Sequence, residues 1–146
     1  MLGARLLHLS DVVQRHYGSI CDEFGVSLVG HSVLTTLRRQ SPRALTLTEI
    51  NEDALITSGG MTFVVRQLEG QGLIARRGHP KDGRSFLLRL TPKGRRLADR
   101  MIRAVADADA VLAAHLGRRD SQVAIALLGR LEEGVGLSDV ERSFSR

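Results

Sequence analysis

Between residues 45 and 98 the order of local signals leaves few folds open. Thr46 and Glu49 stand three apart at the head of a short amphipathic run, the spacing of a helix capping box. Thr57-Ser58-Gly59-Gly60 follows, with Thr57 as the expected N-cap of another short helix. That helix carries Met61, Val64, Val65 and Leu68 on one face, and Gly70 or Gly72 is placed to stop it. Residues 73–77 and 85–90 read as two strands around His79-Pro80-Lys81-Asp82-Gly83-Arg84, a stretch of turn formers. Thr91-Pro92 is an N-cap followed by proline at the first helical position, where a missing N–H costs nothing. Short helix, second helix, basic hairpin and capped helix make a winged helix-turn-helix. The expected fold is therefore mainly α (α+β) with a two-stranded β-wing.

On either side the chain reads as helix. Leu2, Leu6, Leu9, Val13, Tyr17, Ile20 and Phe24 recur at steps of three and four along a long first helix. A second helix is expected after Gly25, with Val26, Val33, Leu34 and Leu37 inward and Ser41-Pro42 as its end. After Pro92 an alanine-rich helix carries Leu97, Met101, Val105, Leu112 and Leu116 as far as Gly117. A last helix over about residues 120–133 carries Val123, Ala124, Leu127, Leu128 and Leu131. Aromatics are only 3% and Trp is absent, so aliphatic side chains must fill the core, as helix-on-helix packing allows.

The 146 residues suffice for a single domain. Its reading module would span about residues 41–98, with N- and C-terminal dimerisation helices at about 1–40 and 99–146. A helix-turn-helix does not need those apolar ends for its own core, so they read as an interface with a second copy. Wrapping of the module within a monomer is the other reading.

Charge is concentrated. Residues 70–103 hold ten basic and two acidic side chains, a net of +8 in a chain whose total is +5. A localised basic face suits a polyphosphate partner; a solvated charged surface is the alternative. Only two of the 21 basic residues are Lys, and Arg forks onto phosphate or guanine, although Arg preference also follows from genome-wide composition.

Other chemistries find little footing. The single Cys21 excludes an intrachain disulfide and a cysteine-cluster zinc site. His8, His16, His31, His79 and His115 are scattered without metal-ligand spacing, and no nucleophile elbow or phosphate-binding P-loop is present. Neither catalysis, a metal nor a cofactor is expected. No apolar run approaches membrane-span length, and the first residues lack a signal peptide's apolar core, so a cytoplasmic chain without a membrane partner is expected.

The layout resembles the MarR family (multiple antibiotic resistance regulators) of bacterial transcriptional regulators. Five motifs carry the likeness in register: Leu45-Thr46-x-x-Glu49-Ile50, Ser58-Gly59-Gly60-Met61-Thr62, Leu68-Glu69-x-x-Gly72-Leu73-Ile74, Asp82-x-Arg84 and Leu90-Thr91-Pro92-x-Gly94. The resemblance implies a homodimer joined through its terminal helices. It also implies a recognition helix in the major groove, a wing reaching the minor groove, and often a small-molecule or oxidant signal that releases DNA. A two-fold repressor of this kind reads a pseudo-palindromic operator in double-stranded DNA, with half-sites roughly 10 base pairs apart. The chain departs from the pattern at Val64, where relatives often carry a basic residue, and at Arg66-Gln67, where they often carry an acidic-basic pair. Base contacts therefore cannot be carried over. An architectural or protein-contact winged helix without a specific operator is the alternative function.

For DNA, Thr57, Ser58, Gly59 and Gly60 would offer backbone N–H groups to a phosphate, or serve only as caps. Ser58, Thr62 and Arg66 would project toward bases, and Phe63 would either pack on a thymine methyl or turn into the core. Arg84 at the wing tip suits a narrow minor groove, with Asp82 orienting it or merely shaping the turn. Arg76, Arg77 and Lys81 fit phosphate contacts. His16, Tyr17, Cys21, His31 and Arg38 are candidates to line an effector pocket, or are ordinary partly buried residues. Cys21 reads as a redox sensor or, more simply, a structural thiol, since neighbouring Asp22 and Glu23 would raise its pKa.

Overall fold

The computed structural model describes residues 1–54, 60–79 and 85–134. Among them the elements run α1 (Leu2–Glu23), α2 (Leu28–Arg39), α3 (Leu47–Ala54), α4 (Met61–Gly70), β1 (Ile74–Gly78), β2 (Phe86–Leu90) and α5 (Pro92–Gly134). The mainly helical fold with its two-stranded antiparallel wing matches the sequence expectation. The chain divides into two compact units, Met1–Val105 and Ala106–Arg146.

The first unit is built around α2, which packs on α1, α3, α4 and β2. Val33, Leu34 and Leu37 are buried on its inward face. They meet Ile50 of α3, Met61, Val65 and Leu68 of α4, Leu88 of β2 and Met101 of α5 in one apolar core. The second helix starts later than expected. Ser27 is its N-cap and accepts from the Gly30 N–H at 3.1 Å, while Val26 is buried just ahead of the helix. Val26 has the hydrophobicity of a helix position, but the free N–H groups of the first turn are satisfied one residue later.

Two connections are fixed by backbone chemistry. At the end of α4, Gly72 takes φ +68°, and the N–H groups of Leu73 and Gly72 close on the carbonyls of Leu68 and Glu69. This paired closure needs a left-handed residue, hence glycine. At the start of α5, Thr91 Oγ1 accepts from the Gly94 N–H and donates to the Gly72 carbonyl at 2.7 Å. A Cβ on Gly94 would lie 1.9 Å from the Leu73 carbonyl oxygen, so glycine lets the helix seat against the strand.

The antiparallel strands pair Ile74 with Leu90, Arg76 with Leu88 and Gly78 with Phe86. Leu45 adds a bridge to Leu88, with N–H to carbonyl bonds in both directions at 2.7 and 3.0 Å. The hairpin is thereby tied to the residue just ahead of α3.

In the second unit α5 is broken at Gly117, where φ is 75° and ψ 161°, close to the position at which the sequence ended its long helix. Ser121 Oγ donates to the Gly117 carbonyl beside the break. Val111, Leu112, Leu116, Val123, Ile125, Leu127 and Leu128 are all exposed. In the other unit, Cys21 is the buried residue of α1, and Leu2, Leu7, Leu9 and Val12 are exposed. The expected apolar stripe of α1 packs only toward its C-terminal end. No helix among the described residues is long and apolar enough to cross a membrane.

Candidate nucleic-acid interface

The face of α4 follows from its spacing. Met61, Val64, Val65 and Leu68 fall at i, i+3, i+4 and i+7 and are buried. Thr62, Phe63 and Arg66 fall between them and are exposed. Phe63 takes the outward of its two readings, with 71% of its surface exposed. The N-cap differs from expectation: it is Gly60, at φ 90° and ψ −10°, with no side-chain cap bond. Only glycine accepts that backbone readily, so the turn enters the helix three residues after Thr57. Thr57, Ser58 and Gly59 lie outside the described residues.

Upstream, the capping box is formed as expected. Glu49 Oε2 accepts from the Thr46 N–H at 2.7 Å, and the Glu49 N–H donates to Thr46 Oγ1 at 3.2 Å. The Thr46 N–H is the chief reason the Glu49 carboxyl sits below its ordinary pKa; Arg43, which pairs with it, adds to the effect.

The wing places its arginines in different surroundings. Arg76 forks onto Glu69 of α4, with Nε to Oε1 at 3.1 Å and Nη2 to Oε2 at 2.7 Å. Its guanidinium lies 4.5 Å from the Phe86 ring centroid. Glu69, Arg76 and Phe86 thus join α4 to both strands. Arg76 is held in place here, whereas Arg77 is exposed on the opposite face of the ribbon. Glu69 and Phe86 were not singled out in the sequence as partners. The pairing spans seven residues from helix to strand, where no single periodicity applies. Lys81, Asp82 and Arg84 lie outside the described residues. Past the paired strands, the His79 N–H still reaches the Ser85 carbonyl at 3.1 Å.

The five candidate effector residues are more scattered in role. The His16 and Tyr17 rings sit tilted, 5.9 Å apart. Cys21 is fully buried, and burial first, then Asp22, pushes its thiol pKa up, as a structural cysteine requires. Burial pushes the His31 imidazole pKa down, and its Nε2 lies 3.3 Å from Thr35 Oγ1. Arg38 is committed to Asp99 of α5, with Nε to Oδ1 at 2.7 Å. That link between residues 61 apart carries no local sequence signal. No group of three or more His, Cys, Asp or Glu that could hold a metal occurs among the described residues.

Comparison with known proteins gives the same picture. The MarR family model matches residues 26–86. An HTH-type transcriptional repressor of Mycobacterium tuberculosis is 34% identical over 115 residues, covering 79% of this chain and 81% of that protein. The solved MepR–DNA complex of S. aureus superposes with a TM-score of 0.83 at 18% identity, covering 92% of this chain and 98% of that one. BpsR of Bordetella bronchiseptica, whose DNA binding is regulated by 6-hydroxynicotinic acid, superposes at 0.74 with 22% identity, over 88% of this chain and 98% of that one.

Proposed function

Because the chain belongs to the MarR family and is a transcriptional regulator that binds DNA, we propose that it acts as a homodimeric repressor of a pseudo-palindromic operator. Residues 41–98 form the reading module of a single 146-residue domain, and helices from residues 1–40 and 99–146 join two copies. Thr62, Phe63 and Arg66 of α4 face the major groove. The segment 57–60 meets a phosphate, and Arg84, oriented by Asp82, enters the minor groove. Arg77 and Lys81 neutralise backbone charge; Arg76 fixes the angle between α4 and the wing while carrying part of that charge.

One observation carries this reading. An exposed Thr62, Phe63 and Arg66 stand on a helix locked to a basic hairpin by the Glu69–Arg76–Phe86 contact. A rigid angle between helix and wing lets two grooves be engaged together. Release comes from a small effector bound among His16, Tyr17, Cys21, His31 and Arg38; the regulation of BpsR by 6-hydroxynicotinic acid supports a ligand of this general kind.

The test is a fluorescence-anisotropy titration on the intergenic DNA upstream of the gene, with scrambled competitor at two salt concentrations. Tight binding to one palindromic segment that survives competitor is expected. Equal binding to scrambled DNA would replace the specific repressor with an architectural protein.

A further inference from the structure

Three phenylalanines lie among the described residues, in different surroundings. The Arg100 guanidinium lies 5.3 Å from the Phe24 ring centroid, and that of Arg76 lies over Phe86. Phe63 has neither a cation nor a ring against it among the described residues, and 71% of its surface is exposed. Its place on α4 is set by the helical period. Met61, Val64, Val65 and Leu68 turn one side of the helix into the core. Phe63 and Arg66 flank the line opposite that side, with Thr62 and Gln67 farther round. Phe63 also stands in the first turn, the part of a recognition helix that meets base edges. One turn ahead, a Cβ on Gly60 would meet nothing within 4 Å, so no described residue crowds the helix entry beside the ring.

We infer that Phe63 is a specificity-determining residue whose ring packs on the C5-methyl group of a thymine in each half-site. The inference rests on the reading of α4 as a recognition helix and names the base that one of its side chains selects. A phenyl ring cannot pair with the donors and acceptors on base edges. In the major groove the apolar group that a base presents is the thymine methyl; adenine, guanine and cytosine offer hydrogen-bonding atoms there. Phosphate is excluded as the ring's target by the same chemistry, since the ring carries neither a charge nor a polar donor. In water the exposed ring is a cost, and a methyl group laid against it removes apolar surface on both sides.

The test replaces thymine by deoxyuridine, which lacks only that methyl, at each position of the palindromic segment in turn, in anisotropy titrations with the full chain. One symmetric pair of positions should stand out, with affinity falling about fourfold for one half-site and about 15-fold for both. Phe63→Ala should bind the unmodified segment that much more weakly and no longer distinguish thymine from deoxyuridine at that pair. Phe63→Leu should keep part of the distinction. Both variants should match wild type in circular dichroism and urea midpoint, because the side chain is exposed. If wild type tolerates deoxyuridine at every position, or Phe63→Ala still distinguishes the two bases, the inference falls while a specific repressor stands. A gain from 5-methylcytosine without a loss from deoxyuridine assigns the ring to methylated cytosine and overturns thymine. Equal binding of wild type to scrambled DNA removes the operator reading itself, and this inference with it.

Discussion

Residues 26–101 and the residues beyond 105 solve opposite problems with similar material. In the first stretch Leu34, Leu37, Ile50, Met61, Leu68, Leu88 and Met101 are almost wholly buried, and the core closes within one copy. In the second, Leu112, Leu116, Val123, Ile125, Leu127 and Leu128 recur just as often, yet each is 44% exposed or more. Isolated exposed leucines need no explanation, but a run of them along one helical segment does. The difference teaches that hydrophobicity alone does not assign a residue to a core. What separates the two stretches is the presence of crossing elements: α2 meets three helices and a strand, whereas the second unit's apolar side chains are left exposed, as the proposed homodimer requires.

The sharpest way to break this comparison is to place one methyl group in each region. Gly94→Ala drives a Cβ against the Leu73 backbone carbonyl, which cannot rotate away. A loss of about 3 kcal/mol in urea unfolding is expected, at the upper end for an overpacked site. Gly129→Ala meets nothing within 4 Å and lies in a helix. It should leave stability unchanged or raise it by up to about 1 kcal/mol. Similar losses for the two would mean that the second unit is packed as tightly as the first.

Next in size is the interface itself. Leu127→Asp puts a charge on the exposed apolar segment and should convert the proposed dimer to a monomer in sedimentation. Affinity for a palindromic site should fall by about 100-fold, because the two half-sites are then bound separately. Urea unfolding of the module should shift by no more than about 0.5 kcal/mol. A large shift would show that the first unit depends on the partner copy for its own folding.

How much of this could be read from residues alone follows the same division. Local chemistry was legible: the Thr46–Glu49 box, the glycine stop after α4 and the Thr91-Pro92 start each lie within a few residues. The buried face of α4 was legible because its period is helical. Long-range partners were not. Nothing near Leu45 announces its bridge to Leu88, and nothing near Arg38 announces Asp99. Boundaries moved where two signals competed. Val26 suggested a helix that Ser27 begins, and Thr57 suggested a cap that Gly60 provides through its backbone alone. Charge alone suggests a phosphate contact for Arg76, whereas its fork onto Glu69 emerges only in the packed hairpin.

A smaller effect separates arginines within the basic region from those elsewhere. Arg84→Ala should weaken binding to the palindromic site by about tenfold, while Arg142→Ala should change it less than twofold. The anisotropy titration above measures both. Equal losses would turn the wing from a groove reader into one part of a diffuse positive field.

The smallest effect asks which region fails first in acid. Burial holds the His31 imidazole pKa below its ordinary value of 6.5. As pH falls below that value the unfolded chain takes up the proton first, so stability fades as pH drops toward the lowered folded value. The Thr46 N–H holds the Glu49 carboxyl below its ordinary 4.5. There too the unfolded chain is protonated first, so a stabilising contribution present above 4.5 is lost as pH falls through the folded value. Both shifts have the same sign: acid weakens the first unit in two successive windows. Urea midpoints followed downward from about pH 7 should decline through the first window in wild type. His31→Asn should flatten that decline, and Glu49→Gln, which keeps a capping-box side chain, should flatten the lower one. Sedimentation at the same pH values completes the comparison. If dimers separate while the urea midpoint still holds, acid acts first on the proposed interface, and His31 and Glu49 in the first unit are not what limits the protein.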